Sequence, residues 1–196
     1  IDLDDSSILD EIKQFKQGHL YSLDLKKDKI ILDESSYCDL EDKEKDFPNL
    51  ENLNYDRFFE SVKIRLRCDV KIGIMLSGGL DSSVICSVAK KIDKNYNFQL
   101  LSFVNDSKKN DESKFIELME NHLNIKSLKV KLPDNKESYF ELLKEASKKI
   151  DTPIAGPSNL AHFHMMQIAR KNNLKVVLSG QGADEILCGY NKYLYV

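Results

Sequence analysis

The chain has 196 residues, 41% of them hydrophobic and 31% charged, which is enough to close one substantial core and too apolar for a disordered segment. Its net charge of −3 is uneven, with 17 acids and 8 bases in residues 1–60 and 15 acids and 21 bases in residues 61–196. The lysines are dispersed and no aromatic-basic cluster accompanies them, so a nucleic-acid groove is not indicated. No apolar run approaches the roughly 20 residues of a membrane span, the acidic start IDLDDSSILDEI is unlike a signal peptide, and the cysteines (Cys38, Cys68, Cys86, Cys188) lack the spacing of a zinc or disulfide framework, so a cytoplasmic protein is expected.

In chain order, YSLDLKK and KIILDESS are expected to form a hairpin around Lys27-Asp28, followed by the acidic linker CDLEDKEKDFPNLEN. The composition break divides the chain into residues 1–50, the end of one unit plus a linker, and residues 51–196. Residues 55–68 place Phe58, Phe59, Val62, Ile64 and Leu66 at mainly helical spacing. KIGIML (71–76) is a buried strand entering a Gly-Gly turn, and residues 81–95 open with Asp and Ser and set Val84, Ile85, Val88 and Ala89 on one helical face. QLLSFV (99–104) is a strand, residues 111–124 a helix with acids in its first turn, SLKVKL (127–132) a strand and residues 137–150 a helix. A helix over 158–172, capped by Ser158, and a strand over 174–179 complete the pattern. Alternating strands and helices predict an α/β fold: a doubly wound parallel sheet with helices on both faces. Ligands of such sheets sit beyond the carboxyl ends of the strands, so polar, glycine-rich segments there are the candidates.

Two segments qualify. Ser77-Gly78-Gly79-Leu80-Asp81-Ser82-Ser83 combines a turn that frees backbone amides, three hydroxyls and the positive end of a helix, all suited to phosphate oxygens. Asp81 fits there if magnesium lies between carboxylate and phosphate. The pattern is neither GxxxxGK[ST] nor GxGxxG, but the SGGxDS loop that grips the pyrophosphate of ATP; its five fixed residues recur by chance about once in 10⁶ positions. A helix cap with a tight turn is the plainer alternative. The second segment, Ser179-Gly180-Gln181-Gly182-Ala183-Asp184-Glu185, runs on to Gly189-Tyr190, and sheet geometry is expected to bring Asp184 to the same rim as Asp81.

In order and separation these segments resemble the asparagine synthetase family, within the PP-loop ATP pyrophosphatases (adenine nucleotide alpha hydrolase-like). The resemblance rests on LRCDVKIGIMLSGGLDSS, the DES segment after SFV, the PxxxPSNL segment and VVLSGQGADEILCGY. QGHLYSLDLKKDKIILDESSY resembles the end of that family's glutaminase domain. The resemblance implies that Ser77, Gly78, Gly79, Asp81, Ser82 and Ser83 hold pyrophosphate, that Leu76 and the strand end at Ser102, Phe103 and Val104 line the adenine pocket, and that Ser179 and Gly180 touch the nucleotide. It implies Mg²⁺ on Asp81 and Asp184, catalytic roles for Asp81, Gln181, Asp184 and Glu185, and Tyr190 with Glu185 near the reacting acyl group. The implied substrates are ATP, a carboxylate (aspartate by default) and ammonia from glutamine; a homodimer is left open.

Four departures qualify the resemblance. Many members carry Glu where this chain has Gln181, and Gln cannot act as a base; GGY is here Cys188-Gly189-Tyr190. The family continues with basic residues beyond the position of Val196, and its glutaminase needs an N-terminal Cys where this chain has Ile1, so this chain alone is not expected to hydrolyse glutamine, and its activity as a ligase is left open. These departures keep open another acid (a sugar carboxylate, a β-lactam precursor, a peptide) or nucleotide binding without turnover. His162 and His164, two apart on a helix, diverge and suit no metal pair, Met165 and Met166 fit core filling, and Lys108-Lys109-Asn110-Asp111 fits a solvated loop.

Overall fold

The structure is a computed structural model that describes residues 11–24, 31–37, 50–95, 97–105, 112–150 and 153–190, with backbone alone at 31–32 and 50–54. The linker 38–49, the hairpin tip at Lys27-Asp28, Cys38, the 108–111 loop and residues 191–196 lie outside the described residues. The chain divides into two compact units, Ile1–Leu53 and Asn54–Val196.

In the first unit, strands β1 (His19–Asp24) and β2 (Ile31–Ser36) pair antiparallel from His19↔Ser36 to Asp24↔Ile31, the expected hairpin. Phe15 stacks on Tyr21 with ring centroids 4.3 Å apart.

The second unit contains a four-stranded parallel sheet in the order β5-β4-β3-β6. Helix α1 (Leu50–Arg65) precedes β3 (Ile72–Met75); then come α2 (Leu80–Ile92), β4 (Phe98–Phe103), α3 (Ser113–Leu123) and β5 (Ser127–Val130). Two helices, α4 (Lys136–Ile150) and α5 (Pro157–Lys171), lead to β6 (Val176–Leu178) and the short α6 (Ala183–Leu187). The chain steps outward from β3 to β4 to β5, then returns to place β6 on the other side of β3. That reversal of winding is a topological switch point, where open α/β sheets bind ligands.

Period-two alternation sorts the strand residues between two cores. Ile72, Ile74, Phe98 and Leu100 pack with Val62 of α1, Cys86 and Val88 of α2 and Ile116 and Leu123 of α3. Met75, Leu101, Phe103 and Val130 pack instead with Met165 and Ala169 of α5. The sheet is therefore covered on both faces, and each fully buried Ile or Leu contributes about 2 kcal/mol of burial free energy. Gly73 is small because a Cβ there would meet Leu101 Cδ1 at 3.0 Å and Val177 Cγ2 at 3.2 Å. Burial pushes the Cys86 thiol up to about 12, so it is an inert core residue. No helix among the described residues is long and apolar enough to cross a membrane.

Several local expectations are corrected. Ile64 and Val84 are 55% and 40% exposed, because the buried stripe of each helix is narrower than its apolar spacing. Helix α5 starts one residue before Ser158, with Gly156 at its cap and no side-chain cap bond, because proline at the first helical position fixes the entry. Helix α3 has no acid in its first turn; Glu112 is the capping residue itself.

Candidate functional site

The first loop leaves the sheet where β3 ends. The Leu76 amide still donates to Leu101 O (2.8 Å) and its side chain is buried, so the chain departs from the sheet plane only at Ser77. Gly78 then takes φ +84°, and a Cβ there would fall 2.6 Å from Phe115 Cβ and 3.0 Å from Ile116 N at the start of α3. Only glycine satisfies both conditions. Gly79 caps α2 without a side-chain bond, leaving the amides of Leu80, Asp81 and Ser82 with no partner four residues back in the helix.

Ser82 organises this turn. Its Oγ, in a residue only 6% exposed, accepts from Ser77 N (3.2 Å), donates to Gly79 O (3.1 Å) and lies 2.9 Å from Ser77 Oγ. Ser77 Oγ in turn accepts from Gly79 N at 3.2 Å. Ser83, on the next position of the helix, is half-buried, and its amide bonds Gly79 O at 3.1 Å. The turn is thus held by its own side chains, with Ser77 exposed and Asp81 half-buried at its mouth.

The second loop leaves β6 beside it. Leu178 pairs with Ile74, so the two strands end next to each other. Gly180 then comes so close to the first loop that a Cβ on it would lie 3.0 Å from Asp81 Cβ and 3.3 Å from Ser82 N. The two segments, about a hundred residues apart in sequence, are therefore packed together at the switch point. Gly182, at φ +94°, starts α6; Gln181 is exposed, its amide 3.4 Å from Ser179 Oγ, and Asp184 is half-buried. After α6 the chain reverses through Cys188 (φ +54°), Gly189 N donates to Asp184 O (2.9 Å), and Tyr190 Oη donates to Glu185 Oε1 (2.7 Å).

A third contribution comes from β4 and α5. Phe103 and Val104 line a cleft of about 560 Å³ together with Lys131, Pro133, Ser158 and His162, at the carboxyl ends of β4 and β5. Sequence reasoning set Ser158 and His162 aside; only their place after the PxxxP segment hints at the cleft. Ser102, next to Phe103, is fully buried and its Oγ has no hydrogen-bond partner among the described residues. A larger cleft of about 750 Å³, lined by Lys63, Arg67, Lys71 and Asp93, lies at the opposite, amino ends of the strands. It is not where parallel sheets bind ligands, and the Asp93 carboxylate there accepts from the Asn95 and Asn97 amides.

Two charge features complete the picture. Burial raises the Glu112 carboxyl above its ordinary value, at the start of the helix that packs against Gly78. Among the described residues no three His, Cys, Asp or Glu groups converge as a resident metal site would require. The acids on the two loops are Asp81, half-buried, on the first and Asp184, half-buried, with Glu185, exposed, on the second.

A family model described as asparagine synthase matches residues 55–196, all but the first unit and Asn54. The chain belongs to the asparagine synthase family. Both packed loops fall inside the matched stretch. Among asparagine synthase relatives, the chain is 32% identical over 159 residues to asparagine synthetase [glutamine-hydrolyzing] 2 of Bacillus subtilis, covering 74% of this chain and 21% of that protein. It is 34% identical over 139 residues to asparagine synthetase [glutamine-hydrolyzing] 1 of the same organism, covering 70% and 21%. It is also similar to the amidase chyE of Penicillium rubens, 26% identical over 151 residues, covering 70% of this chain and 22% of that protein. The chain thus spans about a fifth of the length of these relatives.

Proposed function

We propose that this chain is the nucleotide-activating part of an ATP-dependent amide-forming ligase, with aspartate as the acid and ammonia from glutamine as the nitrogen donor. One observation carries the reading: Gly180 is packed on Asp81, which joins the SGGLDSS and SGQGADE segments into one rim at the switch point of the sheet.

The chemistry follows from what the residues offer. A carboxylate is already anionic and resists attack by ammonia. One of its oxygens first attacks the α-phosphorus of ATP, the bond to the bridging oxygen breaks, and pyrophosphate leaves. The free amides at the start of α2, with Ser77 and Ser83, receive the charge that develops on pyrophosphate, while Ser82 holds the turn in shape. Phe103 and Val104 take the adenine in the 560 Å³ cleft. Asp81 on the first loop and Asp184 on the second are the carboxylates that would hold a magnesium ion, which would neutralise charge on the substrate phosphates. Ammonia then attacks the acyl carbon, the bond to AMP breaks and the amide is released.

The test is ATP–pyrophosphate exchange and amide formation by the full-length protein. Asp81→Ala is expected to lower both by at least about 100-fold; full Mg·ATP-dependent activity in that variant would sink the reading.

A second reading, amidation of a different acid, is favoured by one residue. Gln181 presents an amide where many relatives carry a carboxylate, and it is exposed on the loop that abuts Asp81. Exchange driven by another acid and not by aspartate would select it.

A further inference from the structure

The two packed loops carry acids and no base. Residues 77–83 hold Asp81, residues 179–190 hold Asp184 and Glu185, and neither segment contains a lysine or an arginine. A bound ATP adds the charge of its triphosphate, of which a magnesium ion cancels only part. The amides at the start of α2 and the hydroxyls of Ser77 and Ser83 donate hydrogen bonds but bring no full positive charge. Repulsion among so many negative groups at one rim calls for a cation from a neighbouring element.

The element that touches the first loop is α3. A Cβ on Gly78 would meet Phe115 Cβ at 2.6 Å, Ile116 N at 3.0 Å and Phe115 C at 3.1 Å, so the first turn of this helix lies against the glycine turn. Lys114 immediately precedes Phe115. It is exposed, and its ammonium has no hydrogen bond or ion pair among the described residues. The acid one turn further along α3, Glu117, is joined instead to Lys129 at 3.8 Å. Other described bases stand further from the loop. Lys131 follows β5, two strands away from β3, and Lys90 and Lys91 occupy the last turn of α2, at the far end from the loop.

We infer that Lys114 is a cation of the phosphate site, binding the pyrophosphate portion of Mg·ATP above the glycine turn of the first loop. The inference rests on the ligase reading above. Its ammonium stands on a flexible four-carbon stem rooted beside the residue that abuts Gly78, and it carries three donors that can turn to follow a phosphate. The neutral amides and hydroxyls of the loop fix the shape of the cradle, while Lys114 supplies charge to it. Because that charge is opposite in sign to the leaving group, the contact also favours retention of pyrophosphate, which is what ATP–pyrophosphate exchange requires.

The experiment is calorimetric titration of the full-length protein with Mg·ATP, with magnesium pyrophosphate and with AMP. Lys114→Ala is expected to weaken the first two about 10-fold, the worth of one hydrogen bond between charged groups, and to leave AMP within about 2-fold. Lys114→Arg keeps the charge and is expected to stay within about 3-fold of wild type. The loss in Lys114→Ala should shrink as salt rises, which a merely structural defect would not do. Lys148→Ala removes the same charge from the last turn of α4 and is expected to change none of the three affinities. Unchanged affinity for Mg·ATP and pyrophosphate in folded Lys114→Ala, or an equal loss in Lys148→Ala, would overturn the inference while leaving the ligase reading in place. A wild-type protein that binds neither Mg·ATP nor pyrophosphate would instead remove the ligase reading, and this inference with it.

Discussion

Gly180 lies against Asp81 so closely that one added methyl group would reach within 3.0 Å of the Asp81 Cβ. The contact is side chain to backbone across two loops, so it transmits any displacement of one loop to the other. Gly180→Ala is expected to cost about 1 kcal/mol of stability but to lower ATP–pyrophosphate exchange at least about 10-fold, since small misplacements at a reacting centre are costly. Thermal unfolding beside exchange kinetics checks the pair; a large loss of stability with normal exchange per folded molecule would contradict it.

Ser82 and Ser83 are adjacent and chemically identical, yet they stand differently. Ser82 Oγ binds Ser77 N, Ser77 Oγ and Gly79 O, whereas Ser83, one position on in α2, is half-buried beside Val84 and Ser87. Ser82→Ala is expected to lose about 1–3 kcal/mol of stability, because buried partners are left unsatisfied. Ser83→Ala is expected to lose under about 0.5 kcal/mol while weakening Mg·ATP binding. Urea denaturation and calorimetric titration distinguish the two.

Glu120 ties α3 to β5. Its buried carboxylate accepts from Ser127 N (2.9 Å), Ser127 Oγ (2.6 Å) and Lys126 Nζ (3.3 Å). Burial alone would raise this carboxyl, but the bonds from Ser127 and Lys126 and the charge of Lys129 together hold it below its ordinary value of 4.5. A depressed carboxyl contributes stability that is fully present above the unfolded value and is lost as pH falls through the folded one. Wild-type stability should therefore fall as pH drops below 4.5, and Glu120→Gln, already less stable at neutral pH, should fall less steeply over that window. Unfolding curves from pH 7 to pH 3 measure the difference in slope.

Cys188 sits at φ +54°, where a side chain is strained. Relief of the left-handed penalty of about 1–2 kcal/mol, less the extra chain entropy of glycine of about 0.5–1 kcal/mol, predicts that Cys188→Gly gains about 0.5–1 kcal/mol. For a chain of this size that raises Tm by about 1–4 °C in differential scanning calorimetry.

Much of the fold was legible because each element carries its own period. Ile72 and Ile74 alternate with Gly73 and Met75, and the run stops at the glycines of the first loop. Helix faces were less legible, since spacing places Ile64 and Val84 near the apolar stripe but only the neighbouring helix decides whether anything covers them. The identity of the two loops was legible, being local strings of small and acidic residues. Their contact was only an expectation of sheet topology, and the fit of Gly180 on Asp81 depends on the pairing of β3 with β6. The share of Ser158 and His162 in the 560 Å³ cleft left only their place after the PxxxP segment as a mark in the sequence, because it arises from where α5 meets the ends of β4 and β5.

The strand order carries a consequence for assembly. The first loop is complete once β3 and α2 have formed, but its neighbour arrives only with β6, after two further strands and three more helices have been laid down. A growing or partly folded chain therefore holds a finished first loop, the cradle proposed for phosphate, beside an open sheet edge. Since β3 to β6 is the pairing most distant in sequence within the sheet, its closure is expected to be slow compared with the local steps. Full competence of the site then reports on completion of the sheet as a whole, which makes nucleotide binding a gauge of when the last strand has docked.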